Sequence, residues 1–351
     1  MKAKLFERLG KKTVKCTACS HYCKIPEGGT GICGIRKNAK GELHLLTYGK
    51  PLGLQVDPIE KKPLYHFLPG SEILSFGTYG CNFACDFCQN WPSSQAPRLI
   101  KQSSKSDEKT MSTIEKALQE IEDVPPEDIV KAAKAKKAPS IAYTYNEPTV
   151  FFEYALDVAR LAKKSRIRNV FVSNGFMSKE LMDKAEDFID AINIDLKSFS
   201  EDFYLKVCRG RLKPVLENIK AFHEMGVWVE LTTLVIPGKN DSDEELGKIA
   251  EFIAGVDRSM PWHISAFHPD FRMADVPATS MDTLLRAFNI GARAGLEHIY
   301  IGNVGGGDHQ NTYCPKCEKI VIERAYPVYA NSFLKDGRCH SCGEAIKGVW
   351  K

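Results

Sequence analysis

The chain has 351 residues, of which 43% are hydrophobic and 26% are charged, and its formal net charge is +4. This length can bury a large core with small appendages, while a modest charge without like-charged blocks argues against a nucleic-acid-binding surface. No apolar run is long enough to span a bilayer, and Met1–Gly10 lacks a signal-peptide pattern, so the sequence predicts a soluble cytoplasmic protein.

The cysteines divide the chain into parts. Twelve are present, and all but Cys208 fall into three tight clusters. In a chain without an export signal, such clusters indicate metal sites in a reducing compartment rather than disulfides. The predicted parts are a cysteine-rich segment over residues 1–70, a core over residues 71–303 and a C-terminal module over residues 304–351.

The first cluster lies among short turns and has the pattern C-x2-C-x3-C-x9-C. Its members are Cys16, Cys19, Cys23 and Cys33. Four thiolates suit either a zinc ion or an auxiliary [4Fe–4S] cluster, and His21, which lies between them, is a possible substitute for one ligand. The residues alone do not decide between a zinc ion and an iron–sulfur cluster.

The core alternates short apolar or β-branched runs with helical stretches. This alternation predicts right-handed βαβ units and a parallel sheet that curves into a partial or full (β/α) barrel. In such folds the chemistry lies at the C-terminal ends of the strands. The predicted strands are Ile73–Thr78, Ser140–Thr144, Asn169–Ser173, Ala191–Asp195, Val227–Val235, Trp262–Phe267 and His298–Ile301. The predicted helices are Val150–Lys164, Lys179–Phe188, Val215–Met225, Glu244–Ala254 and Met281–Ala294.

Three cysteines follow the first predicted strand in one short loop. Cys81, Cys85 and Cys88 have C-x3-C-x2-C spacing. Cubane iron–sulfur clusters are usually held by four thiolates, so three would leave one iron open to a substrate or cofactor. A zinc knuckle that lacks its fourth ligand and a set of unrelated buried thiols are the alternatives.

This loop, with Phe87 just before its last cysteine, resembles the signature of the radical S-adenosylmethionine (SAM) superfamily. The resemblance implies a partial barrel of the (β/α)6 type, a [4Fe–4S] cluster and bound SAM. It also implies that SAM is cleaved reductively to methionine and a 5′-deoxyadenosyl radical, which abstracts hydrogen from a substrate. The protein then orients the cofactor and excludes solvent.

The stretch Arg98–Lys137 looks inserted into the core. It is rich in Lys, Glu and Ser, its basic and acidic residues nearly balance, and Pro125-Pro126 interrupts it. We interpret it as a solvated helix or a mobile loop, with a surface for docking a partner as the alternative.

Polar residues at later strand ends are the predicted SAM contacts. Glu147-Pro148 is similar to the end of the superfamily's Gly-Gly-Glu-Pro segment, although Tyr145-Asn146 replaces the two glycines. Asn146 and Glu147 would accept hydrogen bonds from the SAM amino group. Because proline suits the first turn of a helix, a helix N-terminus is the structural alternative.

Two further segments resemble those of activating enzymes. Ser173-Asn174-Gly175 is similar to their Thr-Asn-Gly, and Asp195-Leu196-Lys197 is similar to the Asp-Leu-Lys of pyruvate formate-lyase activating enzyme. Lys197 would hold the methionine carboxylate, with Asp195 on the ribose or on Lys197 itself; a strand-end turn and a structural ion pair are the alternatives. His268, at the end of its strand, is predicted to reach the cavity and completes the SAM-binding set.

The last cluster forms a C-x2-C…C-x2-C pattern. Cys314, Cys317, Cys339 and Cys342 make two pairs separated by 21 residues. Tetrahedral zinc takes four thiolates, so the pattern predicts a structural zinc ribbon that keeps a small module folded. An auxiliary iron–sulfur cluster is the alternative.

Over nearly the whole chain, the motifs resemble the radical SAM protein of the AmmeMemoRadiSam system, a relative of pyruvate formate-lyase activating enzymes. This resemblance implies association with Memo-like and AMMECR-type proteins and an electron donor such as ferredoxin or flavodoxin. It slightly favours zinc at Cys16–Cys33, because activating enzymes carry extra clusters after the radical SAM loop. The resembling segments are Gly80–Trp91, Ser94-Gln95, Ile141–Pro148, Val172–Gly175, Ile194–Phe199, Trp262–Pro269 and Tyr300–Val304.

The leading hypothesis is therefore a SAM-cleaving enzyme that makes a radical on an unidentified substrate. That substrate is either a small molecule or, as in glycyl-radical activation, a partner protein. The alternative from another class is a metal-rich scaffold that assembles partners and no longer cleaves SAM.

Overall fold

In a computed structural model, which describes residues 1–104, 106–305, 307–325 and 329–351, two small antiparallel sheets form the N-terminal segment. The first contains strands β1 (Phe6–Arg8), β2 (Val14–Cys16) and β3 (Lys24–Ile25). The second is a hairpin of β4 (Arg36–Ala39) and β5 (Glu42–Leu45). Both lie beside a larger sheet.

The larger sheet has eight strands, which lie side by side in chain order. They are β6 (Leu52–Pro58), β7 (Glu72–Gly77), β8 (Ser140–Tyr143), β9 (Arg168–Ser173), β10 (Ala191–Asp195), β11 (Trp228–Val235), β12 (Trp262–Ala266) and β13 (Ile299–Gly302). Strands β7 to β13 are parallel, and β6 pairs with β7 in the antiparallel sense. Within the described residues the outer strands β6 and β13 do not pair, so the barrel is open, as predicted.

Helices connect the parallel strands and cover the outside of the sheet. They are α1 (Trp91–Ser94), α2 (Ala96–Ser103), α3 (Asp107–Gln119), α4 (Pro126–Ala135), α5 (Phe152–Lys164), α6 (Lys179–Ala185), α7 (Glu201–Phe203), α8 (Leu212–Glu224), α9 (Asp243–Val256) and α10 (Met281–Arg293). Serine side chains cap α3, α6, α7, α9 and α10 by accepting a backbone N–H of the first turn, which satisfies a donor that the helix leaves free. Short 3-10 turns occupy Ile59–Lys61, Pro148–Phe151 and Gly307–Gln310, and a π-helical turn occupies Tyr204–Cys208.

Burial on both faces explains why the strands could be predicted closely. In β8 all four residues are buried, and Trp262 in β12 is fully buried. Parallel strands covered on both faces read as continuous apolar runs. The predicted bounds of the seven parallel strands accordingly differ from the observed ones by at most one residue at each end.

Two predictions about the core need correction. The predicted boundary at residue 70 would leave β6 outside the core. In the structure, β6 pairs with β7 and extends the central sheet. The polar stretch Arg98–Lys137 is not all insertion, because α4 buries Ile129, Val130 and Ala133 and provides the crossover from β7 to β8. Its lysines and acidic residues lie on the opposite face of the helix. Because these charged residues make the segment polar on average, its composition does not reveal the apolar face.

A buried ion pair joins the N-terminal segment to the barrel. Arg36 in β4 donates to Glu153 in α5 at Nη2–Oε2 2.5 Å and Nη1–Oε1 3.2 Å. The two side chains are 2% and 0% exposed. The backbone N–H of Lys4 also donates to Glu153, at 2.9 Å, so one carboxylate binds two parts of the segment.

The C-terminal module packs against the barrel through its own small sheet. This sheet contains β14 (Thr312–Tyr313), β15 (Ile320–Ala325) and β16 (Tyr329–Ser332). The Nη2 of Arg324 donates to the Tyr65 carbonyl at 2.6 Å, and the Val349 N–H donates to the His66 carbonyl at 2.7 Å. Across the described ranges, no helix combines the length and apolarity that crossing a membrane requires.

Replacing Arg36 by Met should destabilise the protein by about 3–5 kcal/mol, because Glu153 would remain buried without its partner. A lower urea-unfolding midpoint would report this loss. Lys179→Ala is the control: it removes the ion pair between Lys179 and Asp183, whose side chains are 81% and 60% exposed, and should leave the unfolding midpoint nearly unchanged. Equal midpoints for the two variants would show that the buried pair does not hold the segment.

Candidate functional site

The three-cysteine loop leaves the C-terminal end of β7 and packs inward. Cys81 and Cys85 are buried, and Cys88 is partly exposed. Backbone bonds tie the loop to the π-helical turn, from Ala84 N–H to the Cys208 carbonyl at 2.9 Å and from Asp86 N–H to the Val207 carbonyl at 3.1 Å. The three thiols therefore lie at the predicted catalytic end of the barrel.

The protein environment favours neutral thiols in this loop. Burial is the main factor that raises the pKa of Cys81 and Cys88. A hydrogen bond with the Cys208 thiol is the main factor at Cys85, followed by burial. A bound metal reverses this preference, because metal ligation stabilises thiolates. Cys208 had no sequence signal for this position and lies beside a predicted ligand.

Two asparagines connect neighbouring strand ends to the loop. The Asn146 amide donates to the Gly80 carbonyl at 2.6 Å and accepts the Thr78 N–H at 3.0 Å. The Asn174 amide donates to Asn82 Oδ1 at 2.7 Å and lies 3.9 Å from the sulfur of Cys81. The structure thus brings two of the predicted SAM-binding residues to the cysteine loop.

Glu147 lies behind these asparagines and is 0% exposed. Its carboxylate accepts four hydrogen bonds: from the Thr149 N–H at 3.1 Å and hydroxyl at 2.5 Å, from the Ser173 hydroxyl at 2.8 Å and from the Asn174 N–H at 2.8 Å. Burial raises the pKa of Glu147, although these donors act against that shift. Here Glu147 positions the strand ends, and its direct contact with SAM stays a prediction.

Lys197 and Asp195 form an ion pair at the end of β10, with Nζ–Oδ2 at 3.0 Å. Burial opposes the charge of Lys197, but Asp195 and the thiols of Cys85 and Cys208 raise its pKa well above the usual value. The ammonium also lies 5.6 Å from the centre of the Phe87 ring. The structure therefore places a lysine cation beside the cysteine loop, while its contact with SAM stays a prediction.

The histidine that was predicted to reach the cavity, His268, does not line it, whereas His263 does. His268 is exposed, and its Nδ1 lies 3.4 Å from the Pro269 carbonyl. His263, which resembles an ordinary core residue, instead lines a cavity inside the barrel and pairs with Glu230 at 2.7 Å. The prediction that His268 binds SAM therefore gains no support from its position.

The cavity has a volume of about 420 Å³ and a charged wall. Lys62 and Asp57 pair within it at 2.7 Å, and both side chains are at most 7% exposed. Two wall atoms, Glu60 Oε2 and Arg324 Nε, are buried and have no hydrogen-bond partner among the described residues. No motif marked these residues in the sequence, because they come from distant parts of the chain.

The two flanking cysteine sets differ in geometry. In the C-terminal set, Cys314 and Cys342 have sulfurs 3.5 Å apart, and Cys317 and Cys339 have sulfurs 3.6 Å apart. All four sulfurs lie within 4.8 Å of one another, which fits tetrahedral ligation of one ion at about 2.3 Å per zinc–sulfur bond. The N-terminal set lies next to the three-cysteine loop, where His21 Nε2 is 3.0 Å from the Asn82 carbonyl.

Comparison with known proteins identifies relatives along the whole chain. Residues 76–253 match the Radical SAM superfamily. An uncharacterised protein of Methanocaldococcus jannaschii is 40% identical over 348 residues, which cover 98% of both chains. Another protein of this organism, provisionally named a glycyl-radical enzyme activating enzyme, is 26% identical over 67% of this chain and 80% of its own. Among solved structures, a domain of pyruvate-formate lyase-activating enzyme from Bacteroides vulgatus covers 46% of this chain and 98% of its own, with 21% identity and a TM-score of 0.41.

If the C-terminal four-sulfur group binds zinc, replacing Cys317 by Ser should remove about one zinc ion per chain, because the site loses a ligand. Metal analysis of the purified protein would measure this loss. His340→Ala is the control, since His340 is exposed and adjoins Cys339 without belonging to the four-sulfur group. Unchanged zinc in Cys317→Ser, or equal loss in both variants, would contradict the assignment of these ligands.

Proposed function

This chain belongs to the radical SAM superfamily, and we propose that it cleaves SAM reductively at a [4Fe–4S] cluster held by Cys81, Cys85 and Cys88. The observation that carries the proposal is the convergence of these thiols with Asn174 and Lys197 at the C-terminal end of the barrel. Strand ends are where (β/α) barrels place their chemistry. The enzyme class follows from the family, whereas the cluster ligands and the reaction beyond SAM cleavage are proposed.

The residues around the loop fit such a group. Three thiols in one short loop, two of them buried, supply the ligands that iron–sulfur clusters prefer. Beside Cys81, the Asn82 Nδ2 atom is buried without a hydrogen-bond partner in the described part of the chain, so it is available to a bound group. When bound, the reduced cluster and SAM supply the 5′-deoxyadenosyl radical that abstracts hydrogen.

The protein's own residues hold the shape of this site and place a positive charge in it. Lys197 offers a cation to the carboxylate of SAM, and Asp195 holds the lysine in place at 3.0 Å. Asn146 and Asn174 fix the shape of the loop from the neighbouring strands. Glu147 anchors Asn174 from behind, so a change at Glu147 would act on the loop through its neighbour.

The charged cavity inside the barrel favours a small polar substrate. Its volume of about 420 Å³ suits a small molecule, and the buried pair of Lys62 and Asp57 gives its wall a charged, polar character. A glycyl-radical partner protein is the second candidate. It is supported by the name of the M. jannaschii relative that is 26% identical.

We also propose membership of the AmmeMemoRadiSam system, with Memo-like and AMMECR-type proteins as partners, on the basis of the motif resemblance. Ferredoxin or flavodoxin is the proposed electron donor, and zinc is the proposed metal of the C-terminal module. A cytoplasmic location is proposed with them, because the clustered free thiols need a reducing compartment.

The central test is an anaerobic assay for 5′-deoxyadenosine with reconstituted protein, reductant and SAM. The native chain should produce 5′-deoxyadenosine, and Cys88→Ala should produce none, because the cluster loses one of its three protein ligands. The exposed-lysine variant Lys213→Ala, at 83% exposure, should match the native chain. A cluster that forms while SAM stays intact with every candidate substrate would favour the scaffold function instead.

Lys197→Met should raise the KM for SAM roughly 10- to 100-fold, because it removes a hydrogen bond to a charged group worth about 1.5–3 kcal/mol. The iron content should not change, since Lys197 is not a cluster ligand. Lys213→Met is the matched control on an exposed helix face. An unaltered KM in Lys197→Met would show that the lysine serves only its ion pair with Asp195.

A further inference from the structure

We propose that Cys16, Cys19, Cys23 and Cys33 hold an auxiliary [4Fe–4S] cluster rather than a zinc ion. The first argument is the spacing of the sulfurs. In a zinc site, four sulfurs surround one ion at about 2.3 Å, which places them about 3.8 Å from one another. In a cubane, each thiolate binds a different iron at a corner, so the sulfurs lie farther apart.

The spacing of the N-terminal sulfurs can be compared with that of the other two cysteine sets in the chain. Among the described residues, the C-terminal set is the only group of three or more potential ligands whose donor atoms all lie within 4.8 Å of one another. The N-terminal set does not reach this spacing, and neither do Cys81, Cys85 and Cys88, the loop that matches the radical SAM superfamily. Neither of these two sets therefore has the close spacing that a single tetrahedral zinc ion requires.

The four cysteines nevertheless surround one site. Gly31 lies among them: a Cβ added there would be 3.7 Å from the sulfur of Cys33 and 3.9 Å from the Cβ of Cys23. Cys16, Cys19 and Cys33 are buried. A site shielded from solvent is among the features that tune iron–sulfur clusters.

His21 is not placed as a substitute ligand. Its Nε2 lies 3.0 Å from the Asn82 carbonyl, and its ring packs on Phe176 at 4.8 Å between centroids. The Nε2 of His21 therefore faces the three-cysteine loop and is engaged there. This leaves the four thiols as the ligand set.

The two proposed cluster sites lie in touching loops. A Cβ at Gly80, directly before Cys81, would come within 2.6 Å of the Cys33 carbonyl. On the other side, Arg98 and His21 both reach the Asn82 carbonyl, with Arg98 Nη2 at 3.2 Å. The N-terminal segment is therefore built against the SAM-cleaving site and not as a separate appendage.

The test uses the triple variant Cys81→Ala/Cys85→Ala/Cys88→Ala, which leaves the N-terminal set untouched. After anaerobic reconstitution, we expect about four irons and four sulfides per chain, the cluster's electron paramagnetic resonance signal on reduction, and about one zinc. The native chain should hold about eight irons. A triple variant with no iron and about two zinc ions would overturn the proposal.

Two further variants test whether Cys23 and His21 bind the remaining iron. Adding Cys23→Ser to the triple variant should remove the remaining iron, while adding His21→Ala should keep it, because His21 faces Asn82. Loss of iron with His21→Ala would overturn the four-cysteine ligand set. Since the readout is metal content, it is separate from SAM cleavage: iron in the triple variant would support this cluster even if the native chain made no 5′-deoxyadenosine.

Discussion

The buried carboxylate of Glu147 fixes the arrangement on which the rest of the site depends. It accepts donors from the Pro148–Phe151 turn and from the end of β9, so the ends of β8 and β9 cannot shift independently. Asn146 and Asn174 then carry this order into the cysteine loop after β7. Buried hydrogen bonds of this kind make the groups that they join rigid, which favours one loop shape.

The cysteine loop is also closely packed against its neighbours. Gly77 ends β7 where a Cβ would lie 2.5 Å from the Thr144 carbonyl, and Gly210 faces Phe83, whose ring would lie 2.2 Å from a Cβ. The loop therefore has no space for side chains at these contacts. The N-terminal segment packs on its outer side, and Arg36–Glu153 holds that segment to α5.

The sequence predicted what local patterns encode. Continuous apolar runs predicted the parallel strands, and the paired C-x2-C spacing predicted that the four C-terminal cysteines come together. It did not predict contacts between residues far apart in the chain, such as the pair of Tyr65 and Arg324, which are 259 residues apart. Strand alternation groups His263 with Ser265, because residues two apart in β12 share a face of the sheet. Both residues line the cavity.

The C-terminal module contributes to the cavity as well as to the fold. Cys314 directly follows β14, and β14 pairs with β15, which carries Arg324. The guanidinium of Arg324 lies 4.1 Å from the centre of the Tyr65 ring and donates to the Tyr65 carbonyl, so the module fixes one wall of the cavity. A metal bound by the four C-terminal cysteines would therefore order a charged group at the cavity wall, although it lies outside the barrel and takes no part in the chemistry.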